Sequence, residues 1–86
     1  NQIRVLLVEY QTLTRVGVKT ILETESDIEI IAEAETGAKG FEFFRKFNPD
    51  ITILGLRTPD SCAIDMLDDY FNIDKKAKII VLADHA

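Results

Sequence analysis

The sequence predicts an α/β fold, a doubly wound parallel sheet covered by helices on both faces. Four short apolar runs rich in β-branched residues recur along the chain, and between them lie stretches whose apolar residues return at helical spacing. The links are short. Such strict alternation requires crossover connections, which leave the strands parallel and the helices outside.

Ile3 to Val8, Ile-Arg-Val-Leu-Leu-Val, is nearly continuous in apolar residues, the pattern of a strand buried on both faces. From Leu13 to Thr24 the period changes: Leu13, Val16, Gly17, Thr20 and Ile21 recur at helical spacing, Gln11 or Thr12 lies near the start, and Glu23, Glu25, Ser26 and Asp27 form a polar end. Ile28 to Ala32 is a second strand. Thr36, just before Gly37, caps a helix whose apolar side carries Phe41, Phe44 and Phe47, with Phe43 at its edge, and Asn48-Pro49 stops it. Ile51 to Leu54 is a third strand. Ser61 is expected to cap a third helix with Ile64, Leu67 and Phe71 inward, and Lys78 to Ala83 makes a fourth strand. The order β-α-β-α-β-α-β accounts for residues 1–86 as one domain.

Composition sets the class. With 86 residues, 47% hydrophobic and 29% charged, the chain belongs among ordinary globular proteins. Ten basic against fifteen acidic side chains give a net charge of −5, which disfavours a nucleic-acid surface on this segment. The single cysteine, Cys62, excludes an intramolecular disulfide and fits a reducing compartment, so a cytoplasmic location is expected. No apolar run reaches the roughly 20 residues of a membrane span, and the start has no secretory pattern. The absent initiator Met points to a trimmed chain.

In open parallel sheets ligands sit beyond the carboxyl ends of the strands. Those ends are Glu9-Tyr10, Gly55-Leu56-Arg57-Thr58-Pro59 and Ala83-Asp84-His85. No glycine-rich phosphate loop and no nucleophile–base pair occur, so neither a nucleotide cofactor nor an enzymatic activity is expected. The acids Asp65, Asp68 and Asp69 suit a solvated helix face, and His85 stands alone.

Ile3-Arg4-Val5-Leu6-Leu7-Val8-Glu9-Tyr10, the helix ending Gly17-Val18-Lys19-Thr20-Ile21-Leu22, the stretch Glu33-Ala34-Glu35-Thr36-Gly37, and the run from Asn48-Pro49-Asp50 to Leu56-Arg57-Thr58-Pro59 together resemble receiver domains of NarL/FixJ (LuxR-type) response regulators. The resemblance covers the whole chain and implies a flavodoxin-like fold truncated after its fourth strand. In that family an acid pair after the first strand holds Mg²⁺, an aspartate after the third accepts a phosphoryl group, and a Thr or Ser follows the fourth. These positions fall here on Glu9 and Tyr10, on Gly55, and on Ala83, while the family's lysine lies beyond the chain. Glycine has no carboxylate to attack phosphorus. One carboxylate plus the Arg57 carbonyl is a poor set for a hard cation. The resemblance therefore implies a degenerate phosphoacceptor pocket of Glu9, Tyr10, Gly55, Arg57 and Ala83, with no metal and no cofactor.

Tyr10 either plugs that pocket or lies at the surface. Asp50 and Asp60, the other acids near the third strand, are expected to be structural. Three functions follow: a phosphorylation-independent regulatory and dimerisation module of a transcription factor, a conventional receiver using another acid, or a small-molecule module with its ligand between Glu9, Gly55 and Ala83. The expected partners are a second copy, bound through an open sheet face or edge, and a histidine kinase, with DNA reached only through a downstream domain and no membrane contact. A chain that stops after four strands is expected to leave Val5, Leu7, Ile51, Ile53, Ile80 and Leu82, or their alternates, partly bare.

Overall fold

In the computed structural model, which describes residues 2–83, the chain order is β1 (Ile3–Val8), α1 (Thr12–Glu23), β2 (Ile28–Ala34), α2 (Gly37–Phe47), β3 (Ile51–Gly55), β4 (Arg57–Thr58), β5 (Ser61–Cys62), α3 (Ala63–Ile73) and β6 (Ile79–Leu82). The four longer strands pair in parallel in the order β2-β1-β3-β6. This is the doubly wound, flavodoxin-like arrangement that the alternation predicts. The first strand is central, and the order reverses beside it, so the carboxyl ends of β1 and β3 flank the crevice where such folds bind ligands. Asp84 and His85 lie outside the described residues. No helix among the described residues is long and apolar enough to cross a membrane.

Strand pleating divides the core into two layers. Leu6, Val8 and Leu54 face α2 and α3, where they meet Phe44, Ala63 and Tyr70, while Val5, Leu7 and Ile53 face α1, where Val18 and Leu22 cover them. Each fully buried aliphatic side chain contributes ~1.5–3 kcal/mol. The near-continuous apolar run in β1 is thus the signature of a strand with helices above and below.

The expectation that Val5, Leu7, Ile51, Ile53, Ile80 and Leu82 are left partly bare holds for half of that set: Val5, Leu7 and Ile53 are buried, whereas Ile51 and Leu82 are half-buried and Ile80 is exposed, at 50%. Exposed apolar side chains also lie on α1 and α3. Leu13 is 87% exposed and Ile21 69%, with Val16 beside them, because α1 turns Val18 and Leu22 inward.

Helix boundaries follow local chemistry. Thr36 Oγ1 accepts the Lys39 amide at 3.1 Å, and Asn48 ends α2 in the left-handed region at φ 49°, where its N–H donates to the Phe44 carbonyl. Ser61 does not cap α3; the N-cap is Cys62, and Ser61 Oγ contacts Thr58 Oγ1 and Met66 Sδ. The inward set Ile64, Leu67 and Phe71 is corrected too. Ile64 and Phe71 are exposed, and α3 buries Ala63 and Tyr70 with Met66 and Leu67 packed beside them. Tyr70 selects that face, meeting Phe44 and Phe41 edge-on at centroid distances of 4.7 and 5.4 Å.

The start of β1 is tied to the end of α2. Arg4 donates from Nη1 to the Asn48 carbonyl at 2.9 Å and from Nη2 to the Phe47 carbonyl at 2.7 Å, while its backbone N–H donates to Asp50 Oδ2 at 2.8 Å. Asp50 is structural, as expected.

Candidate functional site

At the carboxyl ends of β1, β3 and β6 lies an open cleft of about 450 Å³, lined by Glu9, Tyr10, Gln11, Thr14, Leu56, Arg57, Thr58, Pro59, Leu82 and Ala83. The parallel sheet delivers three loops to one edge, and the first turn of α1 closes one side. Four of the residues marked by sequence, Glu9, Tyr10, Arg57 and Ala83, are brought together here. Gly55 is buried beneath them.

Glu9 is the centre of the site. It is only 7% exposed, and its Oε2 accepts the Gln11 N–H at 2.7 Å, at the N-terminus of α1 where a negative charge is favoured. Its Oε1 lies 2.5 Å from the point where a Cβ on Gly55 would stand. The carboxylate of the first strand therefore occupies the space that a side chain on the third strand would fill. The backbone beneath it is braced: Glu9 N donates to the Ala34 carbonyl at 2.9 Å, and Arg15 Nη1 donates to the Glu9 carbonyl at 2.9 Å. Arg15 is itself held by Glu33 at 3.4 Å and Glu35 at 3.1 Å, and Lys19 pairs with Glu33 at 3.0 Å. The Glu33 contact raises the Lys19 ammonium above its ordinary pKa.

Tyr10 does not plug the space. It stands half-exposed at the wall, and the plug is Glu9. Sequence reasoning missed Gln11, Thr14, Leu56, Thr58, Pro59 and Leu82 as lining residues. Gln11 and Thr14 carry a usable signal, since they sit at the N-cap and first turn of the helix that follows the first strand.

The loop after β3 is fixed by Asp60. Its Oδ1 accepts the Thr58 hydroxyl at 2.7 Å and the Gly37 N–H at 2.8 Å, and its Oδ2 accepts the Ala38 N–H at 3.0 Å. A distant carboxylate thus satisfies the first amides of α2. A Cβ on Gly37 would run into Ser61 Oγ, so glycine is required for this close approach. The Thr58 hydroxyl, then the two amides, lower the Asp60 carboxyl from 3.8 to about 2. Because the folded value is depressed, the contribution to stability is present above 3.8 and is lost as pH falls toward 2. Asp60→Asn is expected to flatten the loss of stability over that interval, as measured by urea unfolding along a pH series.

The residues do not fit Mg²⁺. Among the described residues Glu9 is the one carboxylate lining the cleft, one of its oxygens is engaged by Gln11, and no group of three acidic, histidine or cysteine side chains could hold an ion. Asp65, Asp68 and Asp69 are exposed on α3.

No family model matches the chain. The transcriptional regulatory protein DegU of Brevibacillus brevis is 29% identical over 85 residues, covering 99% of this chain and 36% of DegU. The chemotaxis protein CheY of Bacillus subtilis is 32% identical over 78 residues, covering 91% of this chain and 64% of CheY. The signal receiver domain of the response regulator NarL from Mycobacterium tuberculosis superposes with a TM-score of 0.92 at 21% identity, over 100% of this chain and 69% of that one. The chain spans less than two thirds of the length of both curated relatives.

Proposed function

We propose, from the likeness to DegU and CheY in sequence and to a NarL receiver domain in fold, that residues 1–86 are a pseudo-receiver segment of the response-regulator family, a signal-transduction and dimerisation module that works without phosphorylation. The observation that carries this reading is Glu9 Oε1, 2.5 Å from the missing Cβ of Gly55: the place of an acceptor side chain is held by a carboxylate from the neighbouring strand. A single buried conformation is then available without phosphate. Neither remaining acid of the β3 region is a substitute acceptor, since Asp50 is engaged by Arg4 and Asp60 by three donors.

The apolar residues of α1 and the exposed Ile80 on β6 support association with a second copy. DegU, which this chain resembles, is named a transcriptional regulatory protein. By that likeness the module regulates transcription in the cytoplasm, receives input from a histidine kinase or another protein, and reaches DNA through a further domain.

Incubation with acetyl phosphate or beryllofluoride and Mg²⁺ is expected to leave mass and amide NMR positions unchanged, and light scattering is expected to give a dimer. An acyl phosphate on Asp50 or Asp60 would favour a conventional receiver, and a monomer at every concentration would remove the dimerisation role.

A further inference from the structure

The geometry points to the amino-terminal end of the sheet as a self-complementary surface that receives a second copy of this chain, acids against lysines about a two-fold axis. It goes beyond the proposed association through α1 and Ile80 and does not depend on it.

Strand order places the charges. In a parallel sheet every strand is entered from the same end, and the entering residues lie side by side here: the Ile3 N–H donates to the Asp27 carbonyl, the Asp50 N–H to the Arg4 carbonyl and the Thr52 N–H to the Lys78 carbonyl. The approach to β2, one outer strand, carries Glu23, Glu25, Asp27 and Glu29, all exposed. The approach to β6, the opposite outer strand, carries Lys75, Lys76 and Lys78, also exposed, and its one acid, Asp74, accepts the Lys76 N–H at 2.9 Å. Among the described residues none of these exposed acids and lysines forms an ion pair. The two groups stand apart, since the outer strands of a four-stranded sheet are ~14 Å from one another, beyond a screening length of ~8 Å at physiological salt.

The pattern chooses the partner. A polyanion such as nucleic acid, or an anionic lipid surface, is drawn to the lysines and repelled by the acids of the same end, and a polycation the reverse. A second copy, given half a turn about an axis normal to the sheet and passing between the ends of β1 and β3, sets its acids over these lysines and its lysines over these acids. Each contact then forms twice, as a two-fold pair requires. Ile3, 38% exposed at the start of β1, and half-buried Pro49, just before β3, lie near the middle of that end and give it an apolar centre. The net charge of −5 opposes pairing, and exposed ion pairs contribute only ~0–1 kcal/mol each. The contact is therefore weak, sensitive to salt and populated at high protein concentration.

The test is sedimentation equilibrium with an NMR dilution series, in a Leu13→Ser, Ile21→Ser background that silences two exposed apolar positions of α1. The amides of Ile3, Asp27, Lys76 and Lys78 are expected to move with protein concentration at ~0.1 M salt, and association is expected to weaken roughly tenfold at ~1 M, where the screening length falls to ~3 Å. Lys75→Glu with Lys76→Glu, and separately Glu25→Lys with Asp27→Lys, should each lose self-association, although the first pair raises the net negative charge and the second lowers it. An equimolar mixture of the two variants should associate again. The dispersion of amide signals checks that each variant is folded. Association indifferent to salt, loss in only one of the two variants, no recovery on mixing, or a monomer at every concentration would overturn the proposal. A dimer of the native chain that withstands ~1 M salt alongside any of those results leaves the α1 contact standing and removes only this one.

Discussion

Tyr70→Ala is expected to lose ~3–5 kcal/mol, a large part of the stability of a domain this size, because truncating a buried aromatic removes its transfer energy and leaves a cavity. Tyr70 is 0% exposed and lies between α2, α3 and the sheet, against Phe41, Phe44 and Val8 through Gly40. Among the described residues its hydroxyl has no hydrogen-bond partner, and burial, followed by the charge of Asp69, pushes its pKa up to about 12. The oxygen is therefore neutral and unsatisfied at ordinary pH. Tyr70→Phe removes that desolvated group while keeping the ring, so it is expected to match or exceed the native stability. Chemical denaturation of the two variants checks the pair: equal losses would show that the hydroxyl, not the ring, holds the helix in place.

Gly55→Asp is expected to destabilise the chain at neutral pH and to make it responsive to Mg²⁺. A Cβ at this position comes within 2.5 Å of Glu9 Oε1, so the Glu9 carboxylate must swing away while a second carboxylate enters beside it. The displaced atom is the far end of a flexible side chain beside an open cleft, so the steric cost is small and the destabilisation comes from like charges sharing one site. The pair raises at least one carboxyl pKa above its unfolded value, so the variant's deficit shrinks as pH falls and grows as pH rises through that value. A divalent ion that binds the folded pair and not the unfolded chain offsets the repulsion. Thermal unfolding in EDTA and in Mg²⁺ reads this directly. The native chain should show no difference, and a variant as stable as the native chain in EDTA would mean that Glu9 does not fill the space over Gly55.

The strands were legible because their physics is one-dimensional. A run such as Val5-Leu6-Leu7-Val8, buried on both faces, admits no question of orientation. Helix faces were less so. In α3 the set Ile64, Leu67 and Phe71 and the set Ala63, Met66 and Tyr70 have comparable helical spacing, and the choice between them is made by Gly40, Phe41 and Phe44 across the interface. The two-residue ladder of β4 and β5 is too short to leave any period. At the cleft, the resemblance marked Glu9, Tyr10, Gly55, Arg57 and Ala83 by position. What it could not supply was a side-chain direction: Glu9 turns inward because the Gln11 amide and the space over Gly55 invite it, and Tyr10 is left at the wall.

The place of β1 bears on how the chain is made. Of the described strands β1 is made before its partners, pairing with β2 on one side and β3 on the other, and Arg4 is fastened to Phe47, Asn48 and Asp50. Val5 to Val8 consequently remain a sticky, half-paired ribbon until some fifty residues of later sequence have emerged. A pause in synthesis before Ile51 would present that ribbon to chaperones or to neighbouring nascent chains, which makes the pace of translation over the first half a determinant of yield.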